Sequence, residues 1–171
     1  NLIPDAVLSK NDVELLIDEA TEIDRDKRRL KTAGSEDISY ERLVLAMGSL
    51  PAMPPIPGFQ LENVFPVFKD VAHLSHMQQA LKDVSDLVII GGGFIGVEFA
   101  DECKKSLQAK VSIVEMLPHC LMLAYDEEFC ACAEQLLRDR GIAPVTGAKV
   151  ARVTGEKRVE GVELAGGIVA A

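Results

Sequence analysis

The sequence predicts an α/β protein in which a parallel sheet with helices is followed by an antiparallel β-meander, and a β-rich segment precedes both. Three observations indicate this fold class. An apolar strand leads through a glycine-rich turn into a helix, the next strand ends in an acidic residue, and short strands separated by glycines occupy both ends of the chain. With 171 residues, the chain has room for one domain or two small pieces.

Composition and charge exclude several classes of partner. Apolar residues make up 48% of the chain and charged residues 26%, as in globular proteins, and no run approaches the roughly 18 apolar residues of a membrane span. The net charge of −9 is spread along the chain, so neither nucleic acid nor a membrane surface is expected as a partner. Four cysteines, at positions 103, 120, 130 and 132, lack C-x-x-C or zinc-type spacing. We therefore expect free thiols, no metal site and a cytoplasmic protein.

The first 45 residues are predicted to be β-rich. Val13–Ile17 is a short apolar run, and strands are expected at Thr21–Asp24, Arg28–Thr32 and Ile38–Tyr40. Leu43–Ala46 is a compact apolar run ended by Gly48, which predicts a buried strand. The N-terminus has neither an initiator Met nor a targeting signal, and we expect the chain to be a fragment.

A proline-rich stretch separates this segment from the rest of the chain. Four prolines and Gly58 fall within Pro51–Gly58, which forbids regular structure and predicts a rigid, extended connector. After the connector, apolar residues at helical spacing predict a helix over Val71–Leu81.

The central block begins with Leu87–Ile90, which is apolar at every position and is predicted to be a strand of a parallel sheet. The glycine turn Gly91–Gly96 follows, then a helix from Phe94 to about Leu107, then a strand at Lys110–Glu115. These elements predict one β-loop-α-β unit.

A second helix is bounded by an N-cap at Asp126 and by stop signals before Gly141. Its apolar residues are predicted to form one stripe, consisting of Phe129, Ala133, Leu136 and Leu137. Short strands are predicted beyond it, at Ile142–Val145, Lys149–Thr154 and Val159–Leu164.

The run GGGFIG at Gly91–Gly96 fits the pattern G-x-G-x-x-G, and its context predicts a dinucleotide site of Rossmann type. Gly91 permits a sharp turn out of the strand, Gly93 lets a pyrophosphate approach the backbone, and Gly96 lets the helix pack closely. The start of the helix offers N–H groups and a partial positive charge to the phosphates.

Glu115 lies 19 residues after Gly96, at the end of the second strand, where an acid can accept hydrogen bonds from the adenosine ribose. Its charge repels a 2′-phosphate, and Met116 and Leu117 supply no arginine to counter that repulsion. NAD(H) is therefore expected to be preferred over NADP(H). The alternative is a glycine turn in another α/β protein with an incidental acid.

Two motifs resemble a known family. The run GGGFIGVEFA at Gly91–Ala100 resembles the second, NAD-binding fingerprint of FAD-dependent pyridine nucleotide–disulfide oxidoreductases. The closest branch comprises NADH oxidases, NADH peroxidases and coenzyme A–disulfide reductases. Upstream, YERLVLAMGSLPAMPPIPG at Tyr40–Gly58 resembles a FAD-side motif of the same family. The resemblance covers essentially the whole chain, and it implies part of a FAD-binding domain at residues 1–67 and an NAD(H)-binding domain at residues 68–171.

The resemblance also implies which residues bind the cofactors. On the NADH side these are Gly91, Gly92, Gly93, Phe94, Ile95, Gly96, Glu98, Glu115 and His119, and beside FAD they are Ala46, Met47 and Gly48. Phe94 matches an aromatic that covers the nicotinamide side of the flavin, with a core aromatic as the alternative. Glu98 matches a glutamate near the flavin–nicotinamide contact, with an exposed helix acid as the alternative. His119 stands where the family often has an adenosine-side Arg, with an exposed loop histidine as the alternative.

The implied activity is passage of a hydride from NADH to FAD, and of electrons onward to a disulfide, oxygen, peroxide or a redox protein. The redox cysteine is expected outside this chain, and the full-length protein is expected to be a homodimer. A non-catalytic NADH sensor or scaffold remains an alternative, since Met47 replaces the usual Thr. A plain NAD-dependent dehydrogenase would need a catalytic His, Lys or Tyr constellation, and none is evident.

Overall fold

A computed structural model describes residues 4–34 and 37–170, with the backbone alone for residues 168–170. The chain forms two compact units, Asn1–Met47 and Gly48–Ala171. The connector Pro51–Gly58 belongs to the second unit, and the domain boundary after residue 67 stays a prediction.

Among its described residues, the first unit contains one short helix and three antiparallel strands. Helix α1 spans Asp5–Lys10, and the strands are β1 (Ala20–Asp24), β2 (Arg29–Thr32) and β3 (Ile38–Ser39), in the order β1-β2-β3. The strands expected at Thr21–Asp24, Arg28–Thr32 and Ile38–Tyr40 are therefore confirmed. In β1 and β2, Ile23 lies opposite Leu30.

One expectation in the first unit is wrong. Leu43–Ala46 is not a buried strand, since Val44 is 85% exposed. The physical reason is the lack of a pairing partner: within the described ranges, no strand hydrogen-bonds to residues 43–46. An apolar run without a sheet neighbour or a core to cover it has nothing to fix it as a strand.

The second unit begins at Gly48 and contains the connector, which forms no helix or strand and turns at Pro57–Gly58, followed by helix α2 (Val71–Ala80). The Asp70 side chain caps this helix by accepting a hydrogen bond from the His73 N–H at 2.8 Å. His73 Nε2 lies 2.7 Å from the Pro66 carbonyl oxygen, and its ring contacts Phe65 and Phe68 edge-on. His73 therefore packs against the chain that leads into α2.

A three-stranded parallel sheet forms the centre of the second unit. It consists of β4 (Asp86–Ile90), β5 (Lys110–Val114) and β6 (Ile142–Val145), in that order, connected by α3 (Phe94–Ser106) and α4 (Glu127–Asp139). The helices cover a core made of Ala100, Val111, Ile113, Cys120, Leu137 and Ile142. The predicted β-loop-α-β-α-β order is confirmed.

The meander that follows is antiparallel and has its own small core. Its strands are β7 (Val150–Thr154), β8 (Gly161–Leu164) and β9 (Gly167–Ala170). Val114 of the parallel sheet packs with Val150 and Val162 of the meander. The predicted strands at 149–154 and 159–164 thus correspond to β7 and β8.

Helix α4 begins and ends where the sequence indicates, but its buried face differs from the predicted stripe. The Asp126 side chain accepts the Phe129 N–H at 2.9 Å, and Gly141 follows the helix with φ of +76°. The residues that face the interior are Cys130, Glu134 and Leu137, whereas Phe129 and Leu136 are exposed. Of the predicted stripe only Leu137 is fully buried, and a carboxylate, Glu134, lies on the buried face instead.

Helices α3 and α4 have 13 residues each. In the part of the chain that the structure describes, no helix is long and apolar enough to cross a bilayer.

Candidate functional site

The glycine loop lies at the carboxyl end of β4 and opens helix α3. The Gly91 N–H donates to the Val114 carbonyl at 2.8 Å, so the loop leaves directly from the sheet. Gly93 is the N-cap and has no side chain to cap the helix; the first intrahelical bond runs from the Val97 N–H to the Gly93 carbonyl at 3.0 Å. The N–H groups of the first helical turn have no acceptor within the helix, which makes this end suited to an anion.

The glycines of the loop have different surroundings. Gly91 has φ of +107°, the left-handed region that favours glycine, as a sharp turn requires. A Cβ on Gly96 would collide with the carbonyl oxygen of Gly91, so the helix start packs directly on the turn. A Cβ on Gly93 would meet nothing within 4 Å. The space beside Gly93 is therefore open to a ligand.

Glu115 is the acid that ends β5, and it lies against this loop. Its side chain is 9% exposed, and Oε2 accepts the Gly92 N–H at 2.6 Å while Oε1 accepts the Leu117 N–H at 2.8 Å. Its backbone is fixed by a bond from the Glu115 N–H to the Val145 carbonyl at 2.9 Å. Each carboxylate oxygen has a second lone pair, so the group retains capacity to accept a hydroxyl.

The segment that follows Glu115 holds Gly92 from the other side. The Leu121 N–H donates to the Gly92 carbonyl at 2.8 Å. The Cys120 thiol packs so closely that a Cβ on Gly92 would lie 2.6 Å from its Sγ and 3.0 Å from the Cβ of Glu115. Sequence reasoning names Gly92 but misses this contact, since it joins positions 28 residues apart. No local pattern signals it.

His119 lies on the same segment and is half-buried, with 22% of its side chain exposed. Its Nδ1 is 3.2 Å from Glu134 Oε1 and its Nε2 is 3.7 Å from Glu127 Oε1, both on α4. Glu134, which is buried and contacts His119 from α4, is not among the residues that the sequence predicts. The sequence offers one hint of its role, an arginine four residues further on at position 138. The same spacing is found in ordinary ion pairs on helix surfaces, so it does not single out Glu134.

Phe94 and Glu98 lie on the exposed side of α3. Phe94 is 58% exposed, which contradicts the alternative of a core aromatic, and its ring meets Tyr125 edge-on with centroids 5.8 Å apart. Tyr125 in turn stacks on Phe129 at 4.2 Å. A groove of about 390 Å³ runs between α3 and α4, and Glu98 lines it with Phe94. Ile95, next to Phe94, is also exposed.

The residues predicted to lie beside a flavin are at the division between the two units. Ala46 and Met47 end the first unit, Gly48 begins the second, and all three are exposed. Gly48 has φ of +71°, and a Cβ there would meet nothing within 4 Å.

The buried cysteines near the loop are poorly suited to redox chemistry. Burial, helped by the Glu134 and Glu115 carboxylates, raises the pKa of the Cys120 thiol to about 11. Burial also raises the pKa values of Cys103 and Cys130. A thiol reacts as its thiolate, so these three side chains act as small apolar groups at neutral pH.

Comparison with known proteins agrees with this geometry. The profile of the family described as pyridine nucleotide-disulphide oxidoreductase matches residues 6–170. An NADH oxidase of Enterococcus faecalis is 31% identical over 131 residues, which are 77% of this chain and 29% of that protein. A probable ferredoxin reductase of Castellaniella defragrans is 28% identical over 166 residues, which are 95% of this chain and 40% of that protein.

A solved structure shows the same fold. The ferredoxin reductase for the CYP199A2 system of Rhodopseudomonas palustris superposes with a TM-score of 0.83 at 28% identity, covering 98% of this chain and 42% of that one. The chain thus spans 29% to 42% of the length of these three relatives.

Proposed function

The chain belongs to the pyridine nucleotide-disulphide oxidoreductase family, and we propose that it is the NADH-binding part of a flavin-dependent oxidoreductase. The observation that carries this proposal is the loop at Gly91–Gly96. It combines an uncapped helix start, open space beside Gly93 and a buried carboxylate, Glu115, hydrogen-bonded to Gly92. These features suit a pyrophosphate and a ribose in adjacent positions.

We propose that the site prefers NADH to NADPH. Glu115 is buried beside the loop and carries a negative charge, which repels a 2′-phosphate while accepting the two ribose hydroxyls. Met116 is the neighbouring side chain and is 67% exposed. It offers no positive charge to a phosphate. His119 is proposed to lie on the adenosine side. Its segment follows Glu115 in the chain and contacts Gly92 through the Leu121 N–H.

On the nicotinamide side, Phe94 and Glu98 are the residues proposed to meet the reacting ring and its flavin partner. A bound FAD would supply the hydride acceptor and the route for electrons to a disulfide, oxygen, peroxide or redox-protein acceptor. In this chain, the exposed ring of Phe94 can shield or uncover that position, and Glu98 can accept a hydrogen bond there. Ala46, Met47 and Gly48 are proposed to pass beside the flavin, which their exposure permits.

The cofactor preference is tested by titrating the purified chain with NADH and NADPH. We expect NADH to bind at least tenfold more tightly. Met116→Arg should narrow the ratio by adding a cation beside the ribose position without breaking either hydrogen bond of Glu115. Leu123→Arg, on the same segment and exposed, is the matched control for net charge. Equal affinity for the two nucleotides in the unmodified chain would remove the preference.

The redox step is tested on the full-length protein with FAD bound. Anaerobic addition of NADH should bleach the flavin absorbance near 450 nm. If the protein binds NADH and the absorbance stays unchanged, the sensor or scaffold hypothesis replaces the enzyme. Light scattering on the same sample checks the expected homodimer, and fractionation of cells checks the expected cytoplasmic location.

A further inference from the structure

Two carboxylates are buried among the described residues, and the proposed function uses one of them, Glu115. The other, Glu134, is 4% exposed and lies between Cys130 and Leu137 on the inner face of α4. Burial of a carboxylate is unfavourable unless hydrogen bonds and opposite charge compensate it. Its retention on an apolar helix face therefore needs a physical account.

The partners of Glu134 come from two places. Oε1 accepts the Cys120 N–H at 3.0 Å and lies 3.2 Å from His119 Nδ1, while Oε2 accepts a bond from Arg138 Nη2 at 3.0 Å. Arg138 is on the same helix and partly exposed, so it supplies charge without linking α4 to another element. Of the contacts of Glu134, those to residues 119 and 120 connect α4 to the segment after β5.

The residues bonded to Glu134 are directly next to those that contact the glycine loop. Cys120 packs its thiol against Gly92, and the next N–H, that of Leu121, donates to the Gly92 carbonyl. Leu121 has φ of +64°, an unfavourable conformation for a leucine. Neighbouring contacts must hold the backbone there, and the Glu134 bond to the Cys120 N–H is adjacent to it.

We propose that Glu134 is a positioning residue for the dinucleotide loop. From α4 it fixes the backbone at residues 119–121, which in turn sets the place of Gly92 and of the Glu115 carboxylate bonded to it. The inference rests on the proposed function for its effect on NADH, but its structural part concerns contacts within this chain alone.

The competing account is that Glu134 only contributes to stability. A buried charge is a weak means of stabilisation, because an apolar side chain of similar size often does as well or better. A leucine at position 134 would continue the apolar face of α4 but leave the buried Cys120 N–H without an acceptor. Stability and loop position therefore respond differently to this substitution.

The first test compares NADH affinity in three variants of the chain. Glu134→Leu should raise the dissociation constant about tenfold, the size expected for losing a buried bond to a charged group. Glu134→Gln keeps an oxygen for the Cys120 N–H and should stay within about threefold of the unmodified chain. Val162→Ala, which removes core volume in the meander, is the control for stability loss and should leave the affinity unchanged.

The second test needs no ligand and measures amide hydrogen exchange by NMR. In Glu134→Leu, exchange of the Leu121 amide should accelerate at least tenfold, whereas the Ile113 amide in β5 should keep its protection. If both the affinity and the Leu121 exchange match the unmodified chain, the inference is overturned, whatever the loss of stability.

If Glu134→Leu does not fold, Glu134→Asp takes its place, since the shorter side chain draws the carboxylate away from the Cys120 N–H; unchanged Leu121 exchange in that variant also overturns the inference. If the unmodified chain fails to bind NADH, the proposed function is lost, and the exchange of Leu121 alone decides whether Glu134 positions the loop.

Discussion

Gly93 and Gly96 belong to one motif but have opposite surroundings. Gly93 has φ of −75°, and a Cβ there would point into open space, so alanine is compatible with the fold. A Cβ on Gly96 would meet the backbone oxygen of Gly91, which cannot move without shifting the turn. The first glycine keeps room for a ligand, whereas the second keeps room for the protein itself.

A pair of alanine substitutions separates these two roles. Gly93→Ala should change the free energy of unfolding by less than about 0.5 kcal/mol, yet weaken NADH binding at least tenfold, because the new methyl group takes the place of the pyrophosphate. Gly96→Ala should lower the free energy of unfolding by about 1–3 kcal/mol through overpacking. Urea denaturation and NADH titration measure both quantities. Tight NADH binding by Gly93→Ala would contradict the placement of the pyrophosphate.

At this scale, the sequence predicts residue types better than contacts. The turn at Gly91 and the acid at Glu115 follow from spacing alone, since each belongs to a motif with fixed geometry. The closeness of Gly92 to Cys120 does not, because it depends on how the segment after β5 folds back. Burial of Glu134 is hidden for the same reason, because its Oε1 accepts a hydrogen bond from the backbone N–H of Cys120, 14 residues away in sequence.

In helix α4, the sequence predicts the two ends correctly but not the face that is buried. Its start and end follow from the Asp126 cap and from Gly141, which are local signals. Its buried face does not follow from local signals, because Phe129 and Leu136 are apolar residues but face outward. Helical periodicity shows which residues share a face of the helix. Which face is buried depends on the segment that packs against it, here the one after β5.

Two cysteines on α4 report this orientation chemically. Cys130 is buried with a raised pKa, and Cys132 is exposed two residues further on. Treated with the thiol reagent DTNB at pH 8, the folded chain should release one fast equivalent, from Cys132, and four in denaturant. Cys120, with a pKa of about 11, should react only on unfolding. Cys132→Ser is the control; a fast equivalent that persists in it would contradict the assigned face.

For the whole molecule, the sequence predicts the order of strands and helices. It predicts the structure at the end of the first unit less well. The parallel sheet and meander follow from strand-sized apolar runs, glycine punctuation and helix caps. Leu43–Ala46 fails as a predicted strand because a strand needs a neighbour, and the sequence of a run says nothing about whether its neighbour is at hand.

The division into two units has a direct test. The second unit, Gly48–Ala171, contains the glycine loop together with Glu115, His119 and Glu134. A chain comprising residues 48–171 should therefore fold and bind NADH within about twofold of the affinity of the 171-residue chain. Circular dichroism checks folding, and fluorescence titration checks affinity. A folded 48–171 chain that has lost NADH would show that the first unit contributes to the site.

The contact between Gly92 and Cys120 makes two positions behave as one. The nearest obstacle to a methyl group at position 92 is the sulfur of residue 120, so the harm done by alanine at 92 depends on what stands at 120. A mutational scan that varies one position at a time would record glycine 92 as invariant. A combinatorial library covering both positions would instead reveal epistasis: alanine at 92 should be less damaging once the sulfur is gone, although the Cβ of Glu115 still lies 3.0 Å from the new methyl group.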